Sequence, residues 1–262
     1  MAVPLFFGEG RRRLFGVYDP AVSRAGAGSR NVRAIVFCPP WGPEYYVTHG
    51  ALRRLASNLS LAGHYVLRFD YFGVGDSGGE SEDGDLDGWY SDIEMAVDEL
   101  LSMARMSRIC LLGMRLGATL AATVAKNRKD VDALVLWDPV FEGREYLDEL
   151  EKEHTKWLRL RTRTRAFPET DIETREGTRL PPNLEQQIAA LDLPAAMKSM
   201  RQEILLIITQ QLLSHSALAS GGSPTRLTIE HVADRVPWHF DTLEFGGPLP
   251  KIAISRILDW IR

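Results

Sequence analysis

The chain has 262 residues, of which 45% are hydrophobic, with a formal net charge of −4. That length and apolar content suffice for a large core in a single α/β domain, and the interspersed charge argues against nucleic-acid binding or a polybasic membrane anchor. No apolar run approaches the ~18 residues of a membrane span. The apolar residues 1–8 are too short, and lack the basic leader, for a signal peptide, so a cytoplasmic protein is expected.

In chain order, residues 14–18 read as an early hairpin strand, and residues 34–38 as a buried strand stopped by Pro39 and Pro40. Residues 49–62 carry Leu52, Leu55 and Leu59 at helical spacing and close at Gly63. Residues 65–69 form the next strand, followed by a glycine-rich turn over 73–79. Residues 89–106 place Ile93, Val97, Leu100 and Leu101 on one helical face. A buried strand at 109–112, a small-residue helix at 118–125 and a strand at 133–137 ending on Asp138 and Pro139 come next. Strands alternating with helices predict a mainly parallel sheet covered on both faces.

The pattern changes beyond residue 141. Residues 142–201 are charged and helical in character, with an Arg/Thr run at 159–165 and a break at Pro181 and Pro182. This stretch is expected as a helical lid inserted between an N-terminal part of the core (1–141) and a C-terminal part (202–262). The Arg/Thr run reads equally as a solvated surface or an anionic-ligand patch. Residues 204–209 resume the core as a strand, 220–224 form a loop, 227–230 a short strand and 251–262 an amphipathic closing helix. Cys38 and Cys110 both fall inside core strands and read as small hydrophobes.

Between the strand at 109–112 and its helix lies Gly113-Met114-Arg115-Leu116-Gly117. Two glycines permit a sharp strand-to-helix turn that pushes the middle residue out over the sheet. That residue is Arg115, whose guanidinium stays protonated at any working pH and can neither attack a carbonyl nor accept a proton.

Four blocks, residues 37–44, 66–79, 113–117 and 133–140, together resemble α/β-hydrolases of the serine-aminopeptidase or carboxylesterase-like kind, which carry Gly-x-Ser-x-Gly at this nucleophile elbow. A narrower resemblance is to hydrolase-like proteins associated with exosortase systems, one subgroup of which has Gly-Leu-Arg-x-Gly there. The resemblance implies an α/β-hydrolase fold: a mainly parallel central sheet flanked by helices, with a helical lid. It also implies oxyanion donors from the backbone of Trp41 or Gly42 and of Leu116, and a base after the last strand, where His239 stands behind Trp238. His231 is expected at a strand end. The usual acid position is empty, since residues 210–226 hold no Asp or Glu; Asp138 and Asp234 are the substitutes. Asp138 reads equally as a carboxylate satisfying backbone amides. Ser77 sits in a Gly-Asp-Ser-Gly-Gly run that resembles a serine-protease motif, but in this family the block is a structural turn, with Asp70 and Asp76 as turn and strand-end carboxylates. Ser214, Ser216 and Ser220 have no elbow.

Two functions follow. In the first, a hydrolase-like enzyme acts on a small acyl-containing (ester, thioester or amide) anionic substrate without a serine nucleophile. Arg115, beside a helix N-terminus, clamps the anion, while His239 with Asp138 activates water and Trp41, Gly42, Glu44 and Leu116 line the substrate. In the second, the chain is a non-catalytic binding or scaffold protein. Arg115 left unpaired in an open pocket favours the first; Arg115 locked to Glu44 or another carboxylate favours the second. No cofactor or metal is implied: no histidine and carboxylate set has ligand spacing, and the glycine-rich turn lacks a Rossmann pattern. The expected partner is a small molecule, with no nucleic acid and no membrane span; a homodimer stays open.

Overall fold

A computed structural model describes residues 2–22, 31–161, 174–175, 178–209, 226–234, 238 and 249–262. Its centre is an eight-stranded sheet. The strands are β1 (Val3–Phe7), β2 (Leu14–Asp19), β3 (Ala34–Cys38), β4 (Tyr65–Phe69), β5 (Ile109–Met114), β6 (Val131–Trp137), β9 (Glu203–Ile208) and β10 (Leu227–His231). Their spatial order is β1-β2-β4-β3-β5-β6-β9-β10. Only the hairpin β1–β2 and its junction with β4 are antiparallel; every pair from β4 to β10 is parallel.

The inner strands form where apolar runs are continuous, because parallel strands covered on both faces have no solvent side to alternate with. All residues of β3 and β5 are buried. Successive side chains still divide between two helical layers, as the strand repeat requires. On one face Val36, Leu111, Leu134 and Leu206 meet Trp89, Ile93, Val97 and Leu100 of α2 (Leu86–Ala104) and Leu120 and Val124 of α3 (Leu116–Asn127). On the other, Ile35, Cys110, Val135 and Leu205 meet Leu52, Leu55 and Leu59 of α1 (Pro43–Leu61) and Ile254, Ile257 and Ile261 of α7 (Lys251–Ile261).

Some elements differ from the sequence reading. β1 was not anticipated, since its residues are mostly exposed at the sheet edge and lack a clean alternation. α1 starts at Pro43, ahead of the recognisable leucine spacing; proline suits a first helical turn because its missing N–H has no partner there anyway. α2 starts at Leu86 because the Asp85 side chain accepts the Gly88 amide at 2.7 Å.

Between β6 and β9 lie α4 (Gly143–Arg161), the hairpin β7 (Thr174–Arg175) with β8 (Thr178–Arg179), α5 (Pro182–Ala189) and α6 (Leu193–Met197). Tyr146, Leu150, Leu184, Ile188, Leu193 and Met197 from this segment are buried in the same cluster as the sheet. Among the described residues, no helix is long and apolar enough to cross a membrane.

Candidate functional site

The chain turns from β5 into α3 at a single residue, Arg115, held at φ 51°, ψ −124°. Side chains other than glycine rarely occupy this region, at a cost of order 1–3 kcal/mol. The turn is pinned by the Arg115 amide donating to the Trp137 carbonyl at 3.0 Å and by the Ala118 amide donating to the Arg115 carbonyl at 3.1 Å. A side chain at Gly113 would collide with the backbone of Ala118, and one at Gly117 with the carbonyls of Cys38 and Pro39. Both glycines are therefore demanded by close backbone approach.

The Arg115 side chain is 2% exposed. Its Nε donates to Glu44 Oε1 at 2.7 Å, and its Nη2 to Glu149 Oε2 at 2.6 Å. The guanidinium lies 5.4 Å from the ring centroid of Tyr146 and 5.5 Å from that of Trp238. The Tyr146 hydroxyl donates to the second oxygen of Glu44, Oε2, at 3.1 Å. Burial alone would lower the pKa of Arg115, but Glu44 and then Glu149 more than offset it, so the value is raised. Burial, reinforced by Glu44, pushes the Tyr146 hydroxyl well up.

Of the two outcomes expected for Arg115, an external anion or an internal carboxylate, the pairing with Glu44 is the one observed, and Glu149 joins it. Glu44, expected either to line a substrate or to pair with Arg115, is fully buried and bonded to Arg115 and Tyr146. Glu149 and Tyr146 were missed. Tyr146, Glu149 and Leu150 stand three and four residues apart on α4, the spacing of one helical face, but an acidic helix reads as solvated until its neighbour is known.

The other candidates are placed as follows. Trp41 is buried with its ring 6.4 Å from that of Trp89, and Gly42 precedes α1 at φ 66°. Leu116 is the first residue of α3 and is buried. Cys38 and Gly113 pair in register, so the loop after β3 and the turn after β5 emerge side by side, bringing Gly42 and Leu116 to one end of the sheet. Asp138 follows β6 at φ 41°, fully buried. Its Oδ1 accepts the Thr209 amide at 2.7 Å and its Oδ2 is bonded by the Thr209 hydroxyl. Asp138 thus satisfies a backbone amide just beyond β9.

Asp234 Oδ2 accepts the Ala253 amide at 2.6 Å, satisfying a donor in the first turn of α7. His231 ends β10, exposed. His239, Ser214, Ser216 and Ser220 lie outside the described residues. The Ser77 hydroxyl donates to the Asp70 carbonyl at 2.6 Å and accepts the Phe15 amide at 2.8 Å, which makes it a turn residue. Asp70 accepts the Tyr45 hydroxyl at 2.8 Å and the Asp76 amide at 3.0 Å. Burial nonetheless raises its carboxyl above the ordinary range. Among the described residues, no group of three or more His, Cys, Asp or Glu side chains is arranged to hold a metal ion.

A model of the family described as serine aminopeptidase, S33, matches residues 45–216. Among solved structures, the chain is similar to Est1E from Butyrivibrio proteoclasticus with ferulic acid bound, with a TM-score of 0.67 and 15% identity over 98% of this chain and 99% of that one. It is also similar to an esterase from Pyrococcus furiosus, with a TM-score of 0.65 and 15% identity over 100% and 90%. A third likeness is to α/β-hydrolase domain-containing protein 10 from mouse, with a TM-score of 0.59 and 15% identity over 99% and 98%. At these identities the structures share the α/β-hydrolase fold. No curated protein sequence matches the chain.

Proposed function

This chain belongs to the serine aminopeptidase S33 family, a hydrolase-type α/β protein, and on that premise we propose that it binds a small acyl-containing molecule without forming an acyl-enzyme. Covalent hydrolysis on this fold needs a nucleophile, a base with an orienting acid, and two backbone donors for the oxyanion. Arg115 occupies the nucleophile position and has no nucleophilic atom. The observation that carries the reading is its cage: Nε on Glu44 at 2.7 Å and Nη2 on Glu149 at 2.6 Å. A guanidinium so engaged acts as a strut between the β5–α3 turn, α1 and α4. The backbone amides of Gly42 and Leu116 need no serine, so they support recognition of an acyl oxygen even where no bond is cleaved.

A second reading is favoured by one further observation. The Glu149 side chain is 31% exposed whereas that of Glu44 is fully buried. A carboxylated substrate entering from solvent would displace Glu149 while Glu44 keeps Arg115 in position. Arg115 would then anchor the anion for direct attack by water, with Asp138 and His239 as the acid and base of that step.

Turnover of short esters, thioesters and amides, each with and without a carboxylate, separates the two, with a fluorophosphonate probe for nucleophilic serine. The first reading expects no labelled serine and no turnover above the buffer rate, in the wild type and in Glu149→Gln alike. The second expects turnover of the carboxylated members only, increased in Glu149→Gln because the competing internal carboxylate is gone. A stoichiometrically labelled serine would overturn both.

A further inference from the structure

Parallel strands present two ends, and the cluster around Arg115 uses only the C-terminal one. At the opposite end Arg108 precedes β5, Arg226 precedes β10, and α3 finishes at Asn127 between the starts of β6 and β9. These segments frame a concavity of about 440 Å³, within the range of small-ligand sites, roughly 300–1,000 Å³. A strand of this length spans about 20 Å, so this hollow is separate from the family's site.

Its charge is the informative feature. Arg108, Lys126, Arg128, Lys129, Arg201 and Arg226 line it, against the single acid Asp132. The whole chain carries −4, so the hollow reverses the sign of its surroundings. Internal pairing removes little of this. Arg128 is held by Asp98 at 2.6 Å and Asp130 at 2.5 Å, and Asp132 already lies 3.9 Å from Arg33. Among the described residues, Arg108, Lys126, Lys129, Arg201 and Arg226 form no ion pair with a carboxylate. The C-terminal end of α3 supplies only about half a negative charge, which Lys126 alone offsets. The wall is fixed as well: Gln202 Nε2 donates to the Ala125 carbonyl at 2.7 Å, tying the start of β9 to α3.

We propose that this hollow binds a free small molecule with clustered phosphoryl charge, of the diphosphate or triphosphate class. Cations converge on it from the strand starts, the α3 terminus and the segment before β9, which suits several charged oxygens within one compact group. A nucleic acid would need a basic stripe along an extended face, whereas this charge is confined to one concavity on an acidic chain.

Calorimetric titration with inorganic pyrophosphate at about 0.15 M salt, where exposed charges beyond a Debye length are screened, tests this. Saturable binding is expected in the wild type. Reversing two cations, Lys126→Glu with Arg201→Glu, weakens it by at least roughly thirtyfold, the Coulomb effect of turning attraction into repulsion at one phosphoryl charge. The equally reversed pair Arg53→Glu with Arg54→Glu, exposed on α1, leaves binding unchanged. If the reversed hollow fails to fold by thermal melting, Lys126→Gln with Arg201→Gln takes its place and must also weaken binding. Absence of pyrophosphate binding in the wild type, or equal loss in the α1 control, overturns the proposal. So does binding confined to phosphatidic acid vesicles or to a single-stranded oligonucleotide that pyrophosphate does not displace.

Discussion

Arg115 and Glu44 are both withdrawn from water, and each offsets much of the other's cost of burial. Removing one partner of a buried pair costs about 3–5 kcal/mol, chiefly because the remaining charge loses its counter-ion. Arg115→Met keeps most of the side-chain volume but strands Glu44, and it should lower stability by about that amount in urea unfolding. Adding Glu44→Gln removes the stranded charge, so the double variant should recover part of the loss. A single variant that unfolds at the wild-type urea concentration would show that the pair bears no weight. The identity of Arg115 and its reach toward Glu44 were legible in the sequence. The third partner was not, because Glu149 belongs to a segment whose charge gives no hint of what it packs against.

At the scale of elements, the start of β4 is attached to the chain entering β3 through His64, whose Nδ1 accepts the Arg33 amide at 3.2 Å. That bond requires the unprotonated nitrogen. Burial first, then Arg33 and Arg262, lowers the His64 pKa below its ordinary value. The sign follows: above the unfolded value of about 6.5 both states are neutral, and below it the unfolded chain takes up the proton more readily. Stability should therefore decline as pH falls through about 6.5 toward the folded value of His64. His64→Gln, which does not titrate, should flatten that decline in urea midpoints measured against pH. An unchanged slope would assign the loss to other groups. Burial raises Asp70 and Asp92, which favours protonation of the folded state and so opposes acid destabilisation. Their contribution lies lower, toward the carboxylate range.

The whole molecule is a sheet between two separately packed layers, and the two cysteines report one on each. Cys38 points into the layer holding α2 and α3, Cys110 into the layer holding α1 and α7. Burial pushes the Cys110 thiol up to about 12, and that of Cys38 up as well. Reactivity belongs to the exposed thiolate, so neither should react with a thiol reagent in native buffer, and both should react in denaturant. Because their strands β3 and β5 are hydrogen-bonded neighbours at the centre of the sheet, both labelling rates should follow global unfolding as urea is added. A thiol that labels at a rate independent of urea would reveal that its layer opens locally.

What the sequence determined by itself is the part governed by short-range rules. Continuous apolar runs bounded by proline and glycine located the inner strands, leucine and isoleucine spacings located several helices, and Gly113 and Gly117 marked a turn where backbones nearly touch. From these came a mainly parallel α/β sheet with helices on both faces, and the resemblance to α/β-hydrolases added that Arg115 stands where that family carries serine. Tertiary structure decided what those residues meet. The neighbours of Arg115 come from α1 and α4, the partner of Asp138 from the end of β9, and the partner of Asp234 from the last helix. The basic hollow likewise draws on residues from 108 to 226, and no local pattern brings them together. Charge and burial at such places depend on distances across the fold, so the sequence left Arg115 open between a ligand clamp and a partner of Glu44, and the folded chain sets it against both Glu44 and Glu149.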